Sequence, residues 1–468
     1  MKPRILSLAA LALAASVSAA TYEVGPGGKL AGLNQVPWES LQAGDTVLIH
    51  ARNEPYRSKL VLCCTGKPDA PITVRGVPDA EGHLPVLDGD GATTRKSLRF
   101  WGGDRSVIKI GGAENPPDTT PAYIVIENLE VRGARRPHQF ADADGKVGNF
   151  AKNAAAIRVE KGEHITLRNC VLTDCGNGLF ISSTDKQATR DVLVEGCHIF
   201  GNGNPKSGQE HNIYSEAIGL VFQYNRLGPL RAGALGNNLK DRSAGLVVRY
   251  NWIEGGNKEL DLVDAEDSAL VRRDPGYREA LVCGNIFLKL PADGHALLVH
   301  CGGDSTRPEN YRKGLLRFHN NTIVSYRTGT TTLFKFSSDD ERCDFRNNIV
   351  HLAAPKAGLA LVENAGRVEI TRNWFNSGWQ KVLNPKGTAR FNGDGIFFVG
   401  SEPGFVDAAA QDFRLNPDSP CLGVGAAMGV DRQYVKHQSA EMRPDGIRPD
   451  IGAQSSPRSV KPSSSSPR

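Results

Sequence analysis

Eight times between residues 165 and 375 the chain repeats one short pattern, apolar-x-apolar-x-x-Asn/Cys-x-apolar. The copies are Ile165, Leu167, Cys170, Leu172; Val192, Val194, Cys197, Ile199; Leu220, Phe222, Asn225, Leu227; and Leu246, Val248, Asn251, Ile253. They continue with Ala280, Val282, Asn285, Phe287; Leu316, Phe318, Asn321, Ile323; Cys343, Phe345, Asn348, Val350; and Val368, Ile370, Asn373, Phe375. A looser copy precedes them at Ile124, Ile126, Leu129 and Val131. From Cys170 onward the anchors stand 27, 28, 26, 34, 36, 27 and 25 residues apart, so a unit of about 25 residues receives insertions in some turns. Alternation over three to five residues followed by Asn and Gly predicts short strands. A helical repeat would need longer amphipathic runs than these glycines and β-branched residues allow, and no regular leucine consensus is present. The expectation is therefore an all-β fold, a single-stranded right-handed parallel β-helix whose coils stack about 4.8 Å apart.

The flanks divide the 468 residues further. Lys2 and Arg4, an apolar stretch from Ile5 to Ala15 and the small residues Ser16 to Ala20 form an export signal over 1–20. Residues 21–110 are expected to form an N-terminal cap and opening coils, 111–400 the central coils and 401–453 a closing segment. The Ser/Pro-rich stretch 454–468 has the composition of a disordered tail. Secretion, or residence in a bacterial periplasm, follows from the signal. The formal charge of +5 lies at the ends, in Lys2, Arg4, Arg458, Lys461 and Arg468, so the body from 21 to 453 is formally neutral. A neutral body gives little compositional support for nucleic-acid binding through a basic face, with local patches left open. No apolar run beyond the signal reaches the ~20 residues a membrane helix needs, and a monomer is expected.

Residues Ala43-Gly44-Asp45-Thr46-Val47-Leu48-Ile49 and Pro71-Ile72-Thr73-Val74-Arg75-Gly76 at one end, with Asp412-Phe413-Arg414-Leu415, Ser419-Pro420 and Arg448-Pro449-Asp450-Ile451-Gly452-Ala453 at the other, carry a resemblance. The chain resembles the right-handed parallel β-helix proteins that include pectate-lyase-like and chondroitinase-B-like enzymes. That resemblance implies a carbohydrate substrate and, in the lyases, a Lys/Arg pair, some with calcium on the uronate.

The residues themselves point to one strip. His211-Asn212-Ile213-Tyr214-Ser215-Glu216 and Asn237-Asn238-Leu239-Lys240-Asp241-Arg242 align without a gap at a 26-residue shift. With Ile213 and Leu239 inward, alternation turns Asn212, Tyr214 and Glu216 outward beside Asn238, Lys240 and Arg242. Phe180 and Asp261 extend the column, and His295, His300 and Arg307 could reach the same face. Imidazole, phenol, ammonium, guanidinium and carboxylates in one strip suit β-elimination of a uronic-acid polysaccharide, which needs the carboxylate neutralised, a base for the C5 proton and an acid for the C4 oxygen. Lys240, with its pKa lowered by Arg242, is the expected base. Arg242 is the expected carboxylate ligand, and Tyr214 or His211 the acid. Asn212, Glu216, Asn238, Asp261, His300 and Arg307 are expected to bind the acidic polysaccharide. Asp261 and Asp264, with Glu266 and Asp267, could hold Ca²⁺ through oxygen ligands, although acidic loops are more often simply solvated. The alternatives are a glycoside hydrolase or epimerase using paired carboxylates such as Glu216, Asp241, Asp261 and Asp264, a non-catalytic carbohydrate-binding surface protein, or a strip that is only a solvated face with a Glu216–Arg242 ion pair.

Overall fold

The structure, a computed structural model, describes residues 19–291, 294–436, 439–442 and 449–455. Three long sheets of 13, 11 and 14 strands run the length of the molecule, and in each the strand of one coil pairs with that of the next. The first two are parallel throughout. The third departs only where Gln139–Ala141 meets Val147–Asn149 as a hairpin. The repeat lies where the sequence puts it. Ile165 pairs with Val192 and Leu167 with Val194, then Phe222 with Val248, Val282 with Phe318 and Phe345 with Ile370. These residues are buried, and Phe318 stacks on Phe345 at 5.7 Å inside the solenoid while meeting Phe334 edge-on at 5.3 Å.

Each coil bends from the first sheet to the second through a single residue in the left-handed region. It stands just before the anchor: Asn128, Asn169, Gly196, Tyr224, Tyr250, Gly284, Asn320, Asn347 and Arg372 all have φ between 51° and 66°. Asn and Gly are the residues that tolerate this conformation best, which is why they recur there. The anchor then turns inward and its amide closes the corner. Asn225, Asn251, Asn285, Asn321, Asn348 and Asn373 are fully buried, and each backbone N–H from Cys197 to Asn348 donates to the Oδ1 of the next anchor at 2.8–3.0 Å. Cys170 and Cys197 occupy the same column as reduced thiols, with Cys170 N–H directed at Cys197 Sγ at 3.4 Å. All nine cysteines are free, so no disulfide joins the two.

The residues after 400 lie along the flank of the second sheet. Phe405, Phe413, Leu415, Cys421, Tyr434 and Ile451 cover the outward side chains of Ile286, Leu288, Val324, Ile349 and Trp374. The segment expected to be an export signal, apart from Ala19 and Ala20, and the expected tail beyond Ser455 lie outside the described residues. Gln454 and Ser455, which composition assigns to the disordered tail, are instead buried: Gln454 Nε2 donates to Tyr434 O and Ser455 N to Gln433 Oε1.

The two long intervals between anchors hold what the short coils lack. Between Asn251 and Asn285 stand a short helix, Ala269–Arg273, and a 3₁₀ turn, Pro275–Arg278. Between Asn285 and Asn321 a loop, 302–312, carries the 3₁₀ turn Pro308–Asn310. Both intervals lie beside the same stretch of the third sheet.

Candidate active site

On the outward face of the third sheet one residue per coil forms a straight column: Lys109, Arg158, Phe180, Tyr214, Lys240, Asp261, His300 and Lys335, each paired in register with the next. The predicted pairing of Tyr214 with Lys240, and the extension to Phe180, Asp261 and His300, are thus present. His295 lies in the exposed segment before the His300 strand, its Nδ1 accepting from Leu297 N–H.

Phe180 and Tyr214 stack at 4.7 Å with 8° between their planes, and the Arg158 guanidinium lies 4.1 Å from the Phe180 centroid. Rings piled along the solenoid axis turn edges, not faces, to solvent, so Phe180 orients Tyr214 rather than offering a stacking platform. Tyr214 Oη accepts from Arg242 Nε at 2.9 Å. Its own hydrogen is therefore free for another acceptor. Burial, opposed only in part by Arg242, pushes the phenol up to about 12, which suits a proton donor.

Lys240 and Arg242 converge on one carboxylate that the sequence reading overlooks. Asp304, on the 302–312 loop, receives Lys240 Nζ on Oδ2 at 2.5 Å and Arg242 Nη2 on Oδ1 at 3.2 Å. Arg242 also pairs with Glu266 at 2.9 Å and donates to the Asp264 carbonyl. Burial opposes its charge, yet Tyr214, Asp304 and Glu266 outweigh burial and raise its pKa. The premise that Lys240 faces only a guanidinium does not hold, because Asp304 and, at 3.7 Å, Asp261 flank its ammonium.

Several predicted contacts fall elsewhere. Asn212 and Asn238 are fully buried, not outward. With Asn202 they form a second amide ladder at the corner before the third sheet: Asn202 Nδ2 donates to Asn212 Oδ1 at 3.0 Å, and Asn212 Nδ2 to Asn238 Oδ1 at 3.2 Å. The strands here are only Ile213–Ser215 and Leu239–Asp241, so alternation does not extend back to residues 212 and 238. Asp241, by contrast, points inward at its strand end as the sequence leads one to expect, accepting from Ser215 Oγ and Arg312 Nη2, which keeps it out of the set of catalytic carboxylates. Arg307 is exposed, and its side chain makes no hydrogen bond or ion pair among the described residues. His211 is 2% exposed, and its Nδ1 accepts from Asn237 N–H at 2.9 Å. Burial, then Lys240, pushes it down to about 3, so the ring is neutral with its proton on Nε2, and it delivers no proton as an imidazolium.

Asp261 and Asp264 do not fit a calcium ion. Asp261 is surrounded by donors: His300 Nδ1 at 2.9 Å, Lys258 Nζ at 3.2 Å and Asn237 Nδ2 at 2.7 Å. Burial alone would raise its pKa, but His300, Lys258 and Lys240 hold it well below the usual carboxylate range. Asp264 spends its oxygens on Asp304 N–H, Ser305 N–H and Ser305 Oγ, tethering the loop. A hard cation would have to displace ammonium groups at Asp261, and the loop's N–H and hydroxyl donors at Asp264, rather than water.

Glu216 does not pair with Arg242. Its Oε1 is buried without a hydrogen bond and its Oε2 meets Asp267 N–H at 3.5 Å. Burial, then the charge of Asp267, pushes its carboxyl up to about 8, so it is protonated at neutral pH. Between the ordinary carboxylate pKa and about 8 the native state holds a proton that the unfolded state has released. The contribution of Glu216 to stability should therefore be fullest below this window and fall as pH rises through it, by up to about 1.4 kcal/mol per pH unit. Glu216→Gln should abolish that slope, as read by urea unfolding at intervals from pH 5 to 8.5. An unchanged slope would place the titration elsewhere.

With this geometry in hand, comparison with solved structures is informative about the fold. The pectate lyase Pel9A superposes on 94% of this chain and 97% of its own, with a TM-score of 0.53 and 14% identity. The chain has the right-handed β-helix fold of pectate lyases. An alginate lyase from Paenibacillus sp. str. FPU-7 matches 76% of this chain and 93% of its own, with a TM-score of 0.44 and 13% identity. A GH136 lacto-N-biosidase from Eubacterium ramulus matches 81% and 67%, with a TM-score of 0.48 and 12% identity. No family model and no curated protein matches the sequence. At such identities the fold is shared and the chemistry must come from the site.

Proposed function

We propose that this protein is an exported polysaccharide lyase that cleaves a uronic-acid-containing polymer by β-elimination on the Tyr214–Lys240–Arg242 face. The observation that carries the reading is the carboxylate of Asp304, held at once by Lys240 and Arg242. Two cations of different shape, side by side on a rigid sheet, are a cradle for a carboxylate, and the Asp304 carboxylate already fills it.

A uronate carboxylate in that position has its charge neutralised, which makes the C5 proton acidic. The negative charge that grows on it during elimination is met by the Arg242 fork. Departure of Asp304 removes the nearer anion from Lys240, while Asp261 is already shared with His300 and Lys258. With the uronate carboxylate on the Arg242 fork, Lys240 passes its own proton to solvent, and the neutral amine is then the group placed to take the C5 proton. As the C5–H electrons form the C4–C5 double bond, the C4–O bond breaks, and Tyr214, whose hydroxyl hydrogen is not used by Arg242, protonates the leaving oxygen.

One observation favours a second reading, glycoside hydrolysis. Glu216 is held protonated, while Lys240 and Arg242 outweigh burial to hold Asp304 below the usual carboxylate range, the opposed states that an acid and its carboxylate partner require. A single assay separates the two. Incubation with a panel of uronate polysaccharides should raise absorbance near 232 nm as unsaturated ends form. New reducing ends without that absorbance would establish hydrolysis instead.

A further inference from the structure

Asp304 differs from Asp261 in where it comes from. Asp261 stands on the third sheet and is fixed by four donors. Asp304 reaches in from the loop between the strands Leu297–Cys301 and Leu315–His319, and its side chain remains 30% exposed. The loop is held from below through backbone and neighbouring groups. Asp264 accepts from Asp304 N–H and Ser305 N–H, Ser337 Oγ donates to Gly303 O, and Tyr311 Oη donates to Ser305 O. None of these bonds uses the Asp304 carboxylate. That group can swing off the cradle by side-chain rotation while the loop stays in place.

We infer that Asp304 is a specificity-determining residue, an internal carboxylate that fills the cradle in the free protein and is displaced by the carboxylate of an acidic sugar. The inference rests on the uronate reading above and deepens it. The physical argument is charge exchange in a poorly hydrated place. Arg242 has only 4% of its side chain exposed and Lys240 14%. Uncovering both without a replacement anion would leave Arg242 with Glu266 and Lys240 with Asp261 at 3.7 Å as their remaining counter-charges, with little water to make up the loss. A neutral sugar offers hydroxyls but no charge, and leaves Asp304 on the cradle. A uronate substitutes one carboxylate for another, so the exchange is close to balanced, and Asp304 moves to solvent, where its exposed side already lies. Selection against neutral chains then comes from the competitor as much as from contacts with the correct ligand. Asp304 also sets the affinity. A ligand must outcompete a tethered carboxylate present at high effective concentration, so apparent binding is weakened by the fraction of protein in which the cradle is filled.

Removing the competitor should therefore tighten the binding of acidic sugars and not of neutral ones. The test is titration calorimetry of the intact protein and of Asp304→Asn with the methyl glycosides of glucuronate, galacturonate, mannuronate and guluronate. Having no sugar at O4, these cannot be cleaved by elimination; methyl glucoside is the neutral control. At least one uronoside should bind Asp304→Asn tenfold or more tighter than wild type, while methyl glucoside gains nothing. Ser305→Ala, which removes a side-chain tether to Asp264 without touching the cradle, should produce a smaller gain in the same direction.

Equal or weaker uronoside binding by Asp304→Asn, absence of uronoside binding to either form, or an equal gain for methyl glucoside would each overturn the inference. So would a 100-fold loss of turnover in Asp304→Asn without tighter binding, since that would make Asp304 itself part of the reaction. The outcome is separable from that of the elimination assay. Tighter uronoside binding with no 232 nm product would leave the displacement standing and remove the lyase reading. Product formation by wild type without tighter binding in the variant would do the reverse.

Discussion

Lys240→Ala should lower kcat by at least ~100-fold, the lower end for losing a positioned acid or base, while leaving the solenoid folded. Lys240 lies on the outward face, and its partners do not depend on it. Asp261 keeps His300, Lys258 and Asn237, and Asp304 keeps Arg242. Arg242→Ala should behave differently, and here the structure changes what an outward position implies. Arg242 is nearly enclosed, bonds Tyr214 Oη and the Asp264 carbonyl, and pairs with Glu266 and Asp304. Its removal breaks a buried network, which costs about 3–5 kcal/mol, and also takes away the fork proposed for a uronate carboxylate, so on that proposal both kcat and KM should suffer. Initial rates at 232 nm with thermal melts by circular dichroism separate the two effects. Retention of near-normal turnover by Lys240→Ala would move the base elsewhere. A melting temperature for Arg242→Ala equal to wild type would mean that the network adds little to the fold. Arg242→Lys should recover much of the stability but little of the rate, because an ammonium cannot bond Tyr214 and a carboxylate in one plane.

The fold was legible because its determinants recur. An apolar pair and an anchor, Asn in six coils, Cys in two and Leu in the loosest, return with a left-handed residue before the anchor, and repetition lets a weak local signal be read nine times over. The column Phe180–Tyr214–Lys240–Asp261–His300 was legible for the same reason, since residues one coil apart are neighbours across a parallel sheet. What the sequence hid lies where the coils stop resembling one another. Asp304 stands in the 36-residue interval between Asn285 and Asn321, and Glu266 in the 34-residue interval before it. No alignment to a neighbouring coil says where such residues project. The lengths themselves were the available signal: both insertions fall in consecutive coils and reach the same face. Asn212 and Asn238 were misread for the opposite reason. Strand alternation was carried one residue past the end of three-residue strands, into a corner where the backbone has already turned and the amides serve the ladder.

The interior ladder gives the other large expected effect. Asn285 sits mid-column and makes five hydrogen bonds through its side chain. Nδ2 donates to Val248 O at 2.9 Å, Cys283 O at 3.2 Å and Asn321 Oδ1 at 3.0 Å, while Oδ1 accepts Asn251 N–H and Asn251 Nδ2, each at 2.9 Å. All of these groups are fully buried or part of the coil backbone. Asn285→Ala leaves the Asn251 N–H without an acceptor and the Val248 carbonyl without its donor, at about 1–3 kcal/mol for each buried group stranded, so a total near 3–5 kcal/mol is expected. Asn285→Asp should be no better, since it restores the acceptor but supplies no donor and places a charge inside the solenoid. Asn373, the last anchor, has a neighbour on one side only: it accepts from Asn348 and donates to the Phe345 and Thr371 carbonyls. Asn373→Ala should accordingly cost less than Asn285→Ala. In a solenoid each coil is stabilised by its neighbours, so breaking the contact between Asn251 and Asn321 should also loosen the coupling of the two halves and broaden the unfolding transition. Urea unfolding of the two alanine variants followed by circular dichroism measures both consequences. A loss below 1 kcal/mol for Asn285→Ala, or equal losses at the two positions, would mean that relaxation or entering water satisfies the corner and that apolar stacking alone holds the coils in register.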